Sequence, residues 1–417
     1  MKGMSELTLG ISLALLVCLL FILFFLAPAF FPGTYKNEAM TLGTNAPEYV
    51  DTLEASTEPT PGPEVTHIQT PVAVKAIYMT QCVVGTPSFR KKLVDLVDTT
   101  ELNSIMIDIK DFSGTIGFKT KSPLLTSASM KGCGAKDMKE FIATLHEKGI
   151  YVIGRITVFQ DPFYTKVHPE QAVQSKSGGV WKDRKGLSFI DVSSRPYWDV
   201  VVALSKESYE LGFDELNYDY IRYPSDGNMA DAVYASQHKV LNKAEALETF
   251  FAYLQKHVKP IGVVTSADIF GMTTVVLDDM GIGQVLERAL PYFDYIAPMV
   301  YPSHFAKGFH GYADPNKNVY GVIAYSMGEA VKRAEATTTR IAFLGAQPIA
   351  STSPRLYSKP SYPRTKLRPW LQDFDYGGTY GPTEVRDQIK ATYDVGLTSW
   401  MLWAPSNIYT KGALEGI

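Results

Sequence analysis

Several signatures are missing from this chain, and each absence removes a class of function. Cysteine is scarce, with three in 417 residues. Cys18 lies in an apolar run and lacks the small-residue context of a lipoprotein cleavage site. Cys82 and Cys133 remain, and in an oxidising compartment they can pair or stay as two thiols. Both lie in loops after early strands, near one rim of the fold, so they are expected to come close enough to bridge. Charge excess is missing too. A net charge of −3 without a basic stripe speaks against nucleic acid as a partner. No Gly-rich phosphate loop follows the first strand-like stretch, so neither a Rossmann fold nor a nucleotide cofactor is expected. No Gly-x-Ser-x-Gly elbow occurs, which removes that serine nucleophile. His304 and His310 do not stand at metal-ligand spacing with acids or cysteines, so neither a metal nor any other cofactor is expected.

What is present begins at the amino end. After a flank of residues 1–6, residues 7–31 are almost wholly apolar and uncharged. That is long enough to cross a bilayer and longer than the core of a cleaved signal, so the expectation is a transmembrane signal-anchor. The alternative is cleavage at the small residues Ala27, Pro28 and Ala29, which would give a secreted protein. Residues 32–71 are rich in Thr, Pro and Glu, with Glu38, Glu48, Asp51, Glu54, Glu58 and Glu64 facing Lys36. Such a segment cannot bury enough surface to fold and reads as a disordered tether. Residues 72–417 are then a folded domain held outside the cytoplasm by a single-pass anchor.

From residue 72 onward strand-like and helix-like stretches alternate. Strands are expected at 74–80, 104–110, 151–159, 215–221, 262–268, 295–300, 341–346 and 399–403. Helical spacing predicts helices at 88–99, 135–148, 195–211, 243–256, near 282–290, near 327–336 and at 384–393. Eight such units favour an α/β (β/α)8 TIM barrel with a long insertion after strand 3, over an open doubly wound sheet. A barrel does its chemistry at the carboxyl ends of its strands. Those ends supply Asp108, Lys110 and Asp111 on the second, Asp219 and Arg222 on the fourth, and Asp268 on the fifth. Tyr301 and His304 follow the sixth and Trp403 ends the eighth. The loop after the seventh carries Trp370, Gln372 and Asp373.

The most informative stretch runs from Phe213, Asp214 and Glu215 through Asn217, Asp219, Ile221 and Arg222 to Tyr223 and Pro224. Alternate strand residues share a face, so Asn217 and Asp219 point one way and Leu216 and Tyr218 the other. A carboxylate ending so apolar a strand is costly unless paired or used, and Arg222 is placed to reach back to it. Asp108 and Lys110 are expected on one face of the second strand.

These motifs carry a resemblance. Four stretches are Ile107 to Asp111 with Gly114; Trp181, Lys182, Asp183, Arg184, Lys185 and Gly186; Phe213 through Pro224; and Trp370 through Phe374. With them the region from Val74 to Asn407 resembles the bacterial "putative glycoside hydrolase domain" family of envelope barrels. The fourth-strand motif is also similar to that of family-18 chitinases, but Ile221 and Arg222 stand where the chitinase acid would be. In α-amylase-like barrels a nucleophilic Asp ends strand four, an acid ends strand five and a stabilising Asp follows strand seven. Asp219, Asp268 and Asp373 match that layout by strand number.

The reading is therefore an extracytoplasmic glycoside hydrolase that cleaves O-glycosidic bonds of a polysaccharide, with cell-envelope glycan as the candidate. Cleavage needs one ionised and one protonated carboxyl. Asp219 is expected as nucleophile or base, Asp268 as acid because its apolar neighbours raise its pKa, and Asp373 as stabiliser. Asp108, Lys110, Trp181, Arg222, Tyr301, Gln372 and Trp403 are the candidate sugar contacts. The alternative is a catalytically silent barrel that binds envelope glycan. The excursion over residues 161–191 is expected to fold over the rim as a cleft wall.

Overall fold

The computed structural model describes residues 63–234 and 241–417. The expected anchor at 7–31 and most of the tether lie outside the described residues. Among the described residues no helix is long and apolar enough to cross a membrane.

Eight parallel strands close into a barrel: β1 (Lys75–Met79), β2 (Ser104–Lys110), β3 (Tyr151–Thr157), β4 (Glu215–Asp219), β5 (Val264–Phe270), β6 (Tyr295–Met299), β7 (Trp370–Gln372) and β8 (Trp400–Trp403). Each pairs with the next in chain order, and β8 returns to β1. The strands are short and apolar because both of their faces are covered. Outward residues such as Ile105, Ile107, Leu216 and Tyr218 pack under the surrounding helices, while Ala76, Met106, Ile153, Ala297 and Met401 fill the interior. The helices Pro87–Val97, Met138–Glu147, Arg195–Leu211, Lys243–Val258, Val319–Glu335 and Pro382–Asp394 form the outer layer.

The seventh strand corrects the sequence expectation. Residues 341–346 form no strand and leave Leu344 61% exposed. They belong to a small outer antiparallel sheet region made by Thr338–Thr339, Gln347–Pro348 and Tyr357–Ser358. A strand between two barrel neighbours must be buried on both faces. Trp370–Gln372 meets that condition, since all three of its residues are buried. Asp373 therefore follows β7 directly instead of lying in a distant loop.

Two further features fix the edges of the barrel. Cys82 and Cys133 are disulfide-bonded, with Cα atoms 4.7 Å apart. The end of the expected tether is docked: Ile68 N–H donates to Asp214 Oδ1 at 2.8 Å, His67 stacks on Tyr209 at 3.9 Å and Thr70 bonds the Tyr151 hydroxyl at 2.9 Å. Residues 66–70 thus lie against the amino-terminal end of the barrel.

Candidate active site

The inward positions of β4 are Glu215, Asn217 and Asp219, one above the other. Each meets a different neighbour. Glu215, at the bottom, is fully buried against Arg368 at 2.9 Å, with the Tyr295 ring beneath that guanidinium at 3.8 Å. Asn217 lies opposite Arg155 of β3 in the strand register. Asp219 reaches the carboxyl rim, where a cavity of about 340 Å³ opens, lined among others by Arg155, Asp219, Arg222, Asp268, Tyr301 and Trp403. That volume falls within the range of small-molecule sites.

Arg155 organises the top layer. Its Nε and Nη2 donate to Asp219 Oδ2 at 3.1 and 2.5 Å, and its Nη1 donates to Asp108 Oδ1 at 2.6 Å. The same Nε stands 3.9 Å from Asp268 Oδ2. Three carboxylates thus face one fixed guanidinium, which also lies over the rings of Trp403 at 5.2 Å and Tyr78 at 5.6 Å. A planar fork suits this multidentate grip as an ammonium would not.

The carboxylates differ in environment. Asp219 accepts two bonds from Arg155 and one from the Tyr220 N–H at 2.5 Å. Tyr220 is in the left-handed region at φ 51°, a strained state that turns the chain into the cavity wall directly after the carboxylate. Burial, followed by the nearby charge of Asp219, pushes Asp268 well above the usual carboxylate range. Asp268 Oδ1 takes N–H bonds from Asn217 at 2.9 Å and from Trp370 Nε1 at 2.8 Å, which leaves Oδ2 as the oxygen open to a proton. Burial also raises Asp108, to about 6, against the pull of Arg155. Its second oxygen accepts from the Tyr78 hydroxyl.

The structure brings Asp219, Asp268, Tyr301, Arg222 and Trp403 to one cavity. Arg222 does not pair with Asp219, which corrects the expectation. Its Nη1 bonds Tyr223 O and Ser225 Oγ, both at 3.0 Å, and Arg155 takes the place foreseen for it. Asp108 stands behind the cavity wall as a partner of Arg155. Lys110 is not on the face of Asp108. The β2–β3 register shifts between these residues, so Asp108 opposes Arg155 while Lys110 opposes Ile156. This bulge turns Lys110 outward to Thr157 O at 2.6 Å and Asp161 at 2.8 Å.

Asp373 and Gln372 serve as anchors. Asp373 accepts from Thr410 N–H at 2.9 Å and Thr410 Oγ1 at 2.6 Å. The Gln372 amide holds Ser303 at 2.8 Å and Phe374 O at 3.0 Å. Neither lines the cavity. Trp181 is buried with Val173 and Phe189, and its Nε1 donates to Asn228 O at 3.0 Å. The excursion pairs Gln174–Ser175 with Ala232–Val233, and its small core packs against Tyr220. It backs the cavity wall from behind rather than forming the wall.

Sequence reasoning missed Arg155, Tyr220, Phe270 and Met299. Arg155 sits two residues before the end of β3, and attention to strand ends passes over it. Its signal was a lone charge among Val152, Ile153 and Ile156. Among the described residues no cluster of His, Cys, Asp and Glu could hold a metal ion.

The chain is similar to several solved structures. The glycoside hydrolase domain of PgaB (BpsB) from Bordetella bronchiseptica superposes with a TM-score of 0.54 at 12% identity, covering 80% of this chain and 94% of that one. A hypothetical protein from Ruminiclostridium thermocellum is 33% identical, covering 46% of this chain and 96% of its own, with a TM-score of 0.42. The glycoside hydrolase domain of PelA from Pseudomonas aeruginosa is 10% identical, with coverages of 83% and 97% and a TM-score of 0.42. No protein of curated function matches the sequence. The family model described as "Putative glycosyl hydrolase domain" matches residues 76–409, from the first barrel strand to beyond the last; the chain belongs to this family.

Proposed function

We propose that the protein is an extracytoplasmic glycoside hydrolase acting on a polysaccharide of the cell envelope, with Asp219 as nucleophile and Asp268 as general acid and base. One observation carries the reading: two carboxylates open on one cavity in opposite environments, Asp219 bonded to a guanidinium and Asp268 in a desolvated place that favours its protonated form. Opposed environments of this kind assign the acid and the charged partner in glycosidic cleavage. The disulfide supports the location, since such bonds persist in oxidising compartments. The membrane anchor at 7–31 belongs to the same proposal and rests on composition alone.

The geometry is compatible with retention of configuration, which the anomer of the first product decides. One Asp219 oxygen and one Asp268 oxygen lie 3.1 and 3.9 Å from the same nitrogen, which caps their separation at about 7 Å. Retaining pairs stand about 5–5.5 Å apart, whereas inverting pairs need about 6.5–9.5 Å to admit a water. In the first step Asp219 attacks the anomeric carbon while Asp268 gives its proton to the leaving oxygen. In the second, Asp268 as base activates water to release the sugar. Trp403 and Tyr301 offer ring faces for stacking.

A second reading has its own support: Asp219 is buried in its contact with Arg155, as a bracing ion pair in a silent glycan-binding barrel would be. The experiment is reducing-end release from a panel of envelope polysaccharides, with the anomer of the first product read by NMR. Release of the retained anomer supports the enzymatic reading, and binding without release supports the silent one.

A further inference from the structure

We propose that Arg222 recognises a carboxylate on the sugar next to the scissile bond, so that the substrate is an acidic glycan. The inference rests on the glycosidase reading of the cavity and adds the chemical class of its substrate. Arg222 lines the same cavity as Asp219 and Asp268. Only its Nη1 is used, on Tyr223 O and Ser225 Oγ at 3.0 Å each. Its Nε and Nη2 have no acceptor among the described residues. Asp226, on the nearby loop, is engaged by Arg184 at 3.4 Å. Asp219, Asp183 and Asp226 attract the guanidinium only from beyond ion-pair distance.

The side chain is nevertheless held in place. Its guanidinium lies over Phe270 at 4.7 Å, Tyr220 at 5.0 Å and Phe189 at 5.9 Å. Aromatic faces fix and partly stabilise a cation, but they do not replace a counter-ion for one partly withdrawn from water, as Arg222 is. Arg155, the other arginine of the cavity, already faces three carboxylates. Burial lowers His304 below its ordinary pKa, which favours its neutral form. Arg222 is therefore the one cation of the lining without a carboxylate partner among the described residues. Its free donors form the fork that takes a carboxylate bidentately. A neutral hydroxyl would accept one bond and leave the charge uncompensated, and an amino sugar would be repelled.

The test is calorimetric titration of the full chain with two pairs of sugars: D-glucuronic acid against D-glucose, and N-acetylmuramic acid against N-acetylglucosamine. The two arms distinguish a ring carboxylate from an ether-linked one. In at least one pair the acid should bind about tenfold tighter or more, the usual scale for a charge-assisted bond. In Arg222→Met that ratio should fall to about one, any change common to both sugars of a pair cancelling in the ratio, and Arg222→Lys should keep part of it. A ratio near one in the unmodified chain, no acid binding at any concentration, or an unchanged ratio in Arg222→Met would each overturn the proposal. Acid selectivity in a protein that cleaves no polysaccharide would support this inference and count against the enzymatic reading. Cleavage of a neutral polysaccharide without acid preference would do the reverse.

Discussion

Arg155 is the residue on which the site turns. Removing it would leave Asp108 and Asp219 buried without their counter-charge, a loss of about 3–5 kcal/mol for a broken buried pair. Arg155→Met should therefore lower the denaturation midpoint sharply and abolish cleavage, whereas Arg155→Lys should fold and cleave poorly for want of the fork. An Arg155→Met protein of undiminished stability would show that the contacts carry little energy. Asp268 makes a second prediction, with a defined sign. Its carboxyl is raised by burial and by Asp219, so it binds a proton in the folded state that the unfolded chain releases. Its contribution to stability is full below the ordinary carboxylate pKa and declines as pH rises through its raised value. Cleavage should fall over the same alkaline limb, because the acid form is lost. Asp268→Asn should flatten that limb in a pH–rate profile, and an unchanged limb would assign the titration to another group.

At the scale of elements, β2 and β3 show how far the sequence could be read. Their positions were legible because both are largely apolar runs with few charges, Asp108 and Lys110 in Ser104–Lys110 and Arg155 in Tyr151–Thr157, although the third strand, expected at 151–159, ends two residues earlier. The facing of Lys110 was not, because strict alternation cannot register a bulge. Gly154 makes room for it: a Cβ there would come within 2.2 Å of Ile109 Cδ1 and 2.8 Å of Phe213 Cδ1. Gly154→Ala should cost about 1–3 kcal/mol by overpacking, measurable as a shift in urea midpoint, and a neutral effect would show that Ile109 can retreat. The seventh strand was misplaced for a related reason. Residues 341–346 are as apolar as a strand, and only the closure of the barrel shows that Trp370–Gln372 takes the position. Asp219 was legible because it ends β4 and faces inward; Asp268 was read as the end of a strand over 262–268, whereas β5 runs on two residues to Phe270. The Asp373 contact with Thr410 joins residues far apart in the sequence, and no local pattern encodes it. The disulfide ties the Gln81–Val84 turn to the loop before Met138–Glu147 across 51 residues. Chain entropy for such a loop gives about 4 kcal/mol. The Cys82→Ser, Cys133→Ser double variant should melt well below the oxidised protein, and equal melting would contradict that contribution.

The whole molecule divides into a barrel and what precedes it. The barrel should fold alone, but the place of the cut matters. A chain beginning at residue 63 keeps the Ile68 and His67 contacts to Asp214. One beginning at 72 loses them and strips two partners from a buried carboxylate, at about 1–3 kcal/mol. Matched melting curves of the two truncations check this, and identical curves would mean that the docked segment is passive. The central claim is that the barrel rim is a hydrolytic site centred on Asp219. The most direct measurement is the rate at which Asp219→Asn releases reducing ends from a polysaccharide that the unmodified chain cleaves, with a melting curve on the same sample. A reacting carboxylate supplies many kcal/mol of transition-state stabilisation, so the rate should fall by several orders of magnitude while Asp108 still holds Arg155 and the variant remains folded. A well-folded Asp219→Asn protein that cleaves at near the original rate would contradict the account.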